Sequence, residues 1–378
     1  MKILKRKTTN SVYLGESIKD GMCLICESKN VTSNKCLECG NTQIPVYGIQ
    51  RKVINKNHIL KLNFSLSCAQ RQASNFLLNH YKNRKNAYLK AVCGSGKTEV
   101  TYETILYSLN RGEKPLIAIP RKEIVQELFQ RLKSTFPSTI IKFLDGKNHD
   151  DEADLLISTV HQLINYKDEF DLIILDEADA FPYANNDYLK RLVSKSLKKD
   201  GIIIKMSATE KEYVDADTFT MNRRYHGYNL KMPIFYKMKP SKIISSNEFK
   251  EILSSNRKLI IYVSSINKAE RLAEELNVNC CTSKNKNTSD IIKSFKSNKD
   301  KLLISTTILE RGITIKNLDS MIYDASDRIF SHQTIIQICG RVGRSYDDPY
   351  GNIYIFYEKN SIKFNLVKDY INRMNRML

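Results

Sequence analysis

Short apolar runs recur along most of the chain, each closing on polar residues and each followed by a loop or a helix-compatible stretch. They fall at 86–92 (NAYLKAV), 114–119 (KPLIAI), 153–158 (ADLLIS), 171–175 (DLIIL) and 201–206 (GIIIKM). A second set lies at 257–263 (RKLIIYV), 301–305 (KLLIS), 317–323 (NLDSMIY) and 350–358 (YGNIYIFYE). Apolar runs without strict alternation predict strands buried on both faces. Helices are predicted at 66–81, 98–109, after Pro120, in the second half of 257–276, and over 363–378. Strand and helix alternation argues for parallel sheets covered on both sides. Two such sets predict two α/β domains, 64–220 and 240–378, joined by a linker over 221–239.

The first 63 residues break this pattern. They hold too few apolar positions for a core, but they carry two CxxC pairs, Cys23 with Cys26 and Cys36 with Cys39. Four thiolates close a tetrahedral Zn²⁺ site with no open position, so the site is read as structural. Metal binding would then supply folding energy that the apolar residues do not. The redox reading of CxxC is weak, because no βαβ pattern surrounds either pair. Cys68, Cys93, Cys280, Cys281 and Cys339 lack ligand spacing and read as ordinary thiols.

Charge narrows the partners. Lys and Arg number 60 against 41 Asp and Glu, a formal +19, which favours a polyanion such as nucleic acid. The segment MNRRYHGYNLKMP (221–233) interleaves Arg223 and Arg224 with aromatics, a composition suited to a strand of bases or to an ordinary surface linker. The start, MKILKRKTTN, has no apolar stretch behind it, and no run approaches about 18 apolar residues. The expectation is a cytoplasmic protein.

The chemistry concentrates in AVCGSGKTEV (91–100). A strand, a small-residue loop and then a helix is the setting a phosphate-binding loop needs. Gly94, Ser95 and Gly96 would let backbone N–H groups face phosphate oxygens, Lys97 would reach the β- and γ-phosphates, and Thr98 would ligate Mg²⁺. Ala91 stands where the strict pattern has glycine. The run at 171–175 delivers Asp176 to hold Mg²⁺ and Glu177 to activate water. Arg121 and Thr159 close strands at the edge where open α/β sheets place ligands. His161 reads as a capping or packing residue. In the second domain Ser264, Thr306 and Thr307 sit at strand ends, as candidates for the nucleic-acid backbone, and Gly312 is expected to face the domain cleft. Arg341 and Arg344, three apart, are expected on one helix face, one of them as the arginine finger.

AVCGSGKT, DEAD, SAT, TTILERG and QICGRVGR, in that order, resemble motifs I, II, III, V and VI of superfamily 2 helicases. A closer likeness is to the ComFA family of late competence proteins, with its four-cysteine module ahead of the motor. DEADAFPYANNDYL, RRYHGYNLKMP, TTILERGITI and the terminal YINRMN carry that likeness. The resemblance implies two RecA-like domains using ATP and Mg²⁺, with Gln70 reading the adenine edge. It implies a motor on single-stranded DNA at the inner face of the cell membrane. A ComFC-like cytoplasmic partner, a ComEC-like membrane channel and an oligomer come with it. An RNA helicase and a replication-restart DNA helicase would share the ATPase chemistry.

Overall fold

The structure is a computed structural model that describes residues 1–50, 52, 57–120, 125–144, 152–180, 182–208, 216–285, 288–297, 300–306 and 315–376. Arg121, Thr307 and Gly312 lie outside the described residues. By their contacts the chain divides into Met1–Ala91 with Lys97–Met221, and Val92–Gly96 with Asn222–Leu378.

The first unit opens with β1 (Lys2–Leu4), β2 (Val12–Glu16), β3 (Ile18–Lys19), β4 (Met22–Cys23) and β5 (Pro45–Ile49). β5 lies antiparallel between β1 and β2, and β3 pairs with β4. Helix α1 (Cys68–Lys82) follows, started by a capping box between Ser67 and Gln70, which satisfies donors a helix start leaves open.

Seven strands then build one sheet: β6 (Ala87–Ala91), β7 (Pro115–Ile119), β8 (Ile141–Leu144), β9 (Leu155–Thr159), β10 (Phe170–Leu175), β11 (Leu197–Ser207) and β12 (Asp217–Met221). Their order is β12-β6-β11-β10-β7-β9-β8 and every pairing is parallel. Helices α2 (Tyr102–Asn110), α3 (Val125–Thr135) and α4 (Asp187–Ser196) complete the unit. Because the strands are parallel, all their carboxyl ends reach one edge.

The sheet has two apolar faces. One packs α1, α2 and α3 through residues such as Leu77, Ile105 and Leu132. The other joins Leu116, Ile173 and Leu175 to Leu189 and Leu192 of α4, and to Ile25, Cys26, Cys36 and Val46 of the amino-terminal segment. The cysteine segment is thus not free-standing as its sequence suggests. Its few apolar side chains complete a core that the sheet supplies.

The second unit holds β13 (Ile234–Lys237), β14 (Lys258–Tyr262), β15 (Cys280–Cys281), β16 (Leu302–Ser305), β17 (Leu318–Ile322) and β18 (Ile353–Tyr357), in the order β13-β18-β17-β14-β16-β15 and again all parallel. Its helices are α5 (Pro240–Ile243), α6 (Asn247–Ser254), α7 (Ile266–Leu276), α8 (Thr288–Lys296), α9 (His332–Cys339) and α10 (Ile362–Arg376). Part of the stretch read as a linker, 234–237, is therefore an edge strand of this sheet. α10 packs inward through Phe364, Val367, Tyr370, Ile371 and Met374.

Candidate functional site

At the end of β6 the chain turns sharply. Gly94 and Gly96 take left-handed backbone, with φ of 83° and 80°, a conformation that a Cβ resists. Ala91 belongs to β6 and pairs with Met221, so the turn needs no glycine there. Lys97 Nζ stands 3.8 Å from Asp176 Oδ1. The helix beyond begins as a single 3-10 turn, Glu99–Thr101.

Asp176 leaves β10 with its N–H on the Ala118 carbonyl, 3.0 Å, and Ala178 N–H donates to the Met206 carbonyl, 2.9 Å. Both neighbouring strands thereby fix the turn. Glu177 donates its N–H to Asp176 Oδ1, 2.8 Å, and adopts a φ of 53°. Left-handed backbone in a residue other than glycine is strained, and such strain collects at functional sites. Burial holds the Asp176 carboxyl above the ordinary carboxylate range; Lys97 pulls it down, and Glu177 adds to the rise.

Arg131 of α3 was not singled out in the sequence. It donates to Thr98 Oγ1 at 3.4 Å and to Glu99 at 3.2 Å. No motif marks it, since its place depends on where α3 packs. Gln70, read as an adenine contact, accepts the Ser67 N–H at 2.9 Å through Oε1 and is 4% exposed. That bond gives its side chain a local role in starting α1.

The two arginines near residue 340 differ from expectation. α9 ends at Cys339 with Gly340 as its cap, so Arg341 and Arg344 lie beyond the helix. Gly343, at φ 64°, turns the chain between them. A Cβ there would meet the Pro349 carbonyl oxygen at 2.4 Å. Arg341 is buried, and Arg344 Nε donates to the Gly340 carbonyl at 2.7 Å.

Of the residues read as nucleic-acid contacts, Arg223 is exposed, while Ser264 and Thr306 are half-buried. Ser264 and Thr306 follow β14 and β16, adjacent parallel strands in which Tyr262 pairs with Ser305, so both reach one edge. Thr159 is 6% exposed at the end of β9. Arg224 requires a correction: it is 3% exposed, and its Nη1 donates to the carbonyls of Val342 and Gly343, each at 2.5 Å. Burial first, and then Arg344, lowers its guanidinium to about 10.

The four cysteines of the amino-terminal segment converge. Cys23 and Cys39 sulfurs are 3.7 Å apart, those of Cys26 and Cys36 are 3.6 Å apart, and all four lie within 4.8 Å of one another. An ion bonded tetrahedrally at about 2.3 Å from sulfur sets the sulfurs about 3.8 Å apart, so the donors fit zinc. Two matching knuckles make the site. Glu27 N–H bonds the Cys23 carbonyl and Gly40 N–H that of Cys36, and both residues are left-handed, at φ 56° and 71°. Hydrogen bonding from Cys26 draws the Cys23 thiol down to about 5 and pushes Cys26 up. Asn41 Nδ2 donates to the Cys39 sulfur at 2.9 Å, an outer bond that fixes a ligand. Helix α4 grips the knuckle: Arg191 Nε reaches the Cys26 carbonyl at 3.3 Å and its guanidinium pairs with Glu38. Lys195 donates to the Ile25 and Ile164 carbonyls.

Comparison with known proteins agrees with this arrangement. Residues 63–212 match the family described as type III restriction enzyme, res subunit, and residues 245–346 match the helicase conserved C-terminal domain. Competence protein ComFA of Streptococcus pneumoniae (strain ATCC BAA-255 / R6) is 31% identical over 360 residues, covering 88% of this chain and 82% of the relative. Competence protein ComFA of Bacillus subtilis (strain 168) is 29% identical over 364 residues, covering 89% and 78%. S. cerevisiae Dbp5 bound to RNA and ADP BeF3 shares the fold, with a TM-score of 0.61 at 17% identity over 83% of this chain and 93% of that one. The chain therefore belongs to the ComFA family and is a superfamily 2 nucleic-acid-dependent ATPase with two RecA-like parallel-sheet domains.

Proposed function

We propose that this chain is an ATP-driven motor on single-stranded DNA that draws transforming DNA inward during natural competence. The observation that carries the reading is the placing of Lys97, Asp176 and Glu177 together at the carboxyl edge of one parallel sheet. The competence role is supported by the two ComFA relatives, which align over nearly the same span.

Bound ATP with Mg²⁺ supplies the phosphoanhydride to be cleaved and the cation that offsets its charge. Backbone N–H groups of residues 94–98 receive phosphate oxygens, and Lys97 neutralises the β- and γ-phosphates. Thr98 and Asp176 would hold Mg²⁺. Glu177 takes the proton of the attacking water. Arg341 and Arg344 stabilise charge as it builds on the transferred phosphoryl group. Arg223, Ser264 and Thr306 bind the DNA backbone, with Arg121, Thr159 and Thr307 as further candidates. Movement requires DNA affinity to differ between nucleotide states; equal affinity would shift nothing.

Cys23, Cys26, Cys36 and Cys39 hold a structural zinc that stiffens the segment packed on α4. A ComFC-like protein in the cytoplasm, a ComEC-like channel and further copies of this chain are the partners of the motor. Peripheral placement at the inner face of the membrane follows from the channel. Among the described residues, no helix is long and apolar enough to cross a membrane.

The test is ATP hydrolysis by the purified chain, alone and with single-stranded DNA, duplex DNA or RNA of matched length. Strong stimulation by single-stranded DNA and little by RNA supports the reading. Stimulation chiefly by RNA would move the assignment to an RNA helicase.

A further inference from the structure

The second sheet ends at β13, a four-residue strand that, among the described residues, has a neighbour on one side only, β18. Its other side presents backbone N–H and C=O groups that a further strand could pair with. Natural sheets guard such an edge with short length, proline or lysine. β13 is short, follows Pro233 and ends in Lys237, so some guarding is in place. Guarding does not account for the apolar surface around it: Ile234 is 41% exposed, and Ile362 at the start of α10 is 76% exposed. Apolar side chains gathered at an open edge mark an interaction surface.

Beside the edge lies a cleft of about 510 Å³, into which Ile362 also faces. Phe235 of β13, Tyr357 of β18 and Phe364 of α10 line it, with ring centroids between 4.7 and 6.4 Å apart. Phe235 packs against Phe364, on the face of the sheet that α10 covers. A strand laid along β13 would send every second side chain to that face.

The residues that build edge and cleft, 234–237 and 357–368, contain four lysines, Lys237, Lys359, Lys363 and Lys368, and one carboxylate, Glu358. Lys368 Nζ lies 4.6 Å from the Phe235 ring centroid, and Lys363 Nζ lies 5.6 Å from that of Phe364. A second copy of this chain would set these lysines against their own kind, which opposes pairing. A strand of bases needs free aromatic faces to stack on, and lysines stand over two of the three rings. An extended acidic peptide suits the whole surface. Its main chain pairs with the edge, its carboxylates meet the lysines, and an apolar side chain enters the cleft.

We propose that β13 and the aromatic cleft beside it form a docking site for an extended acidic segment of a partner protein, added as a further strand to the second sheet.

The test is a screen of random ten-residue peptides, displayed on phage, against the full chain. The selected peptides should combine Asp or Glu with alternating apolar residues. A synthetic copy of one should slow amide hydrogen exchange at residues 234–237. Its affinity should fall about tenfold when Lys237→Glu and Lys368→Glu are combined, because two attractions become repulsions. Both lysines are exposed, so the double variant should keep nucleic-acid-stimulated ATP turnover, which reports that it is folded. A screen that returns no peptide, or only neutral or basic ones, would overturn the proposal. Selected peptides that leave exchange at 234–237 unchanged would overturn it too, as would unaltered affinity in the double variant. A double variant that loses affinity for single-stranded DNA while binding the peptides normally would make this a nucleic-acid surface instead.

Discussion

The two units use the same parallel sheet but hold their polar residues by different means. In the first, Asp176 and Glu177 leave the end of β10, and backbone bonds to Ala118 and Met206 on the neighbouring strands fix their turn. In the second, Arg341 and Arg344 lie past the cap of α9, on a loop shaped by Gly343 and held by Arg224 from 118 and 119 residues away. A strand end inherits its position from the ladder of hydrogen bonds. A loop beyond a helix must be placed by whatever packs against it. The carboxylates should therefore tolerate distant changes, whereas the arginines should depend on residues far from them in sequence.

The most severe test of the first half is Lys97→Ala. Turnover should fall by about 10²–10³ or more, as when a preorganised charge contact to the transition state is removed. Near-normal phosphate release would break the assignment of the loop. Glu177→Gln should lower turnover comparably while nucleotide stays bound, because the amide keeps the shape and cannot take a proton. Loss of binding in that variant would instead make Glu177 a structural residue.

Metal analysis should find one zinc per chain, and chelation should lower the stability of the first unit by several kcal/mol. The effect should stay below the roughly 10–16 kcal/mol of isolated zinc peptides, because the segment also shares a core with Leu116, Ile173 and α4. A chain without zinc would remove the reading of the cysteines. Gly343→Ala sharpens the second half of the comparison. Its φ of 64° and the Pro349 oxygen 2.4 Å from the new Cβ predict a loss of about 1–3 kcal/mol, read from the denaturation midpoint. An unchanged midpoint would mean that the loop is not held by this turn. The smallest effect is expected for Arg191→Ala, about 1 kcal/mol. A double mutant with Glu38→Ala should show the two losses to be non-additive; simple additivity would mean the pair does not interact.

What was legible in the sequence follows the same division. The apolar runs at 172–175 and 202–204 identify strands that are buried because both faces are covered, and DEAD stands out because carboxylates follow such a run directly. Cysteine spacing was enough to bring four sulfurs together, since each pair comes from one tight turn. Neither the place of Arg131 beside Thr98 nor the burial of Arg224 was legible. Arg131 depends on how α3 packs beside residue 98, and Arg224 sits in a stretch whose charge and aromatics suggested an exposed surface. The helix expected through Arg344 failed at Gly340, where the capped end stops it.

The sequence by itself determined the strand and helix alternation, the glycine turn before Lys97, the carboxylate pair and the cysteine knuckles. Each of these rests on residues within about ten positions of one another, where periodicity and turn chemistry decide the outcome. Tertiary structure alone decided that the cysteine segment shares the core of the first sheet, that residues 234–237 join the second, and that Arg224 is buried while Arg223 is exposed. Those outcomes depend on which surfaces meet across more than a hundred residues, and local pattern carries no record of that.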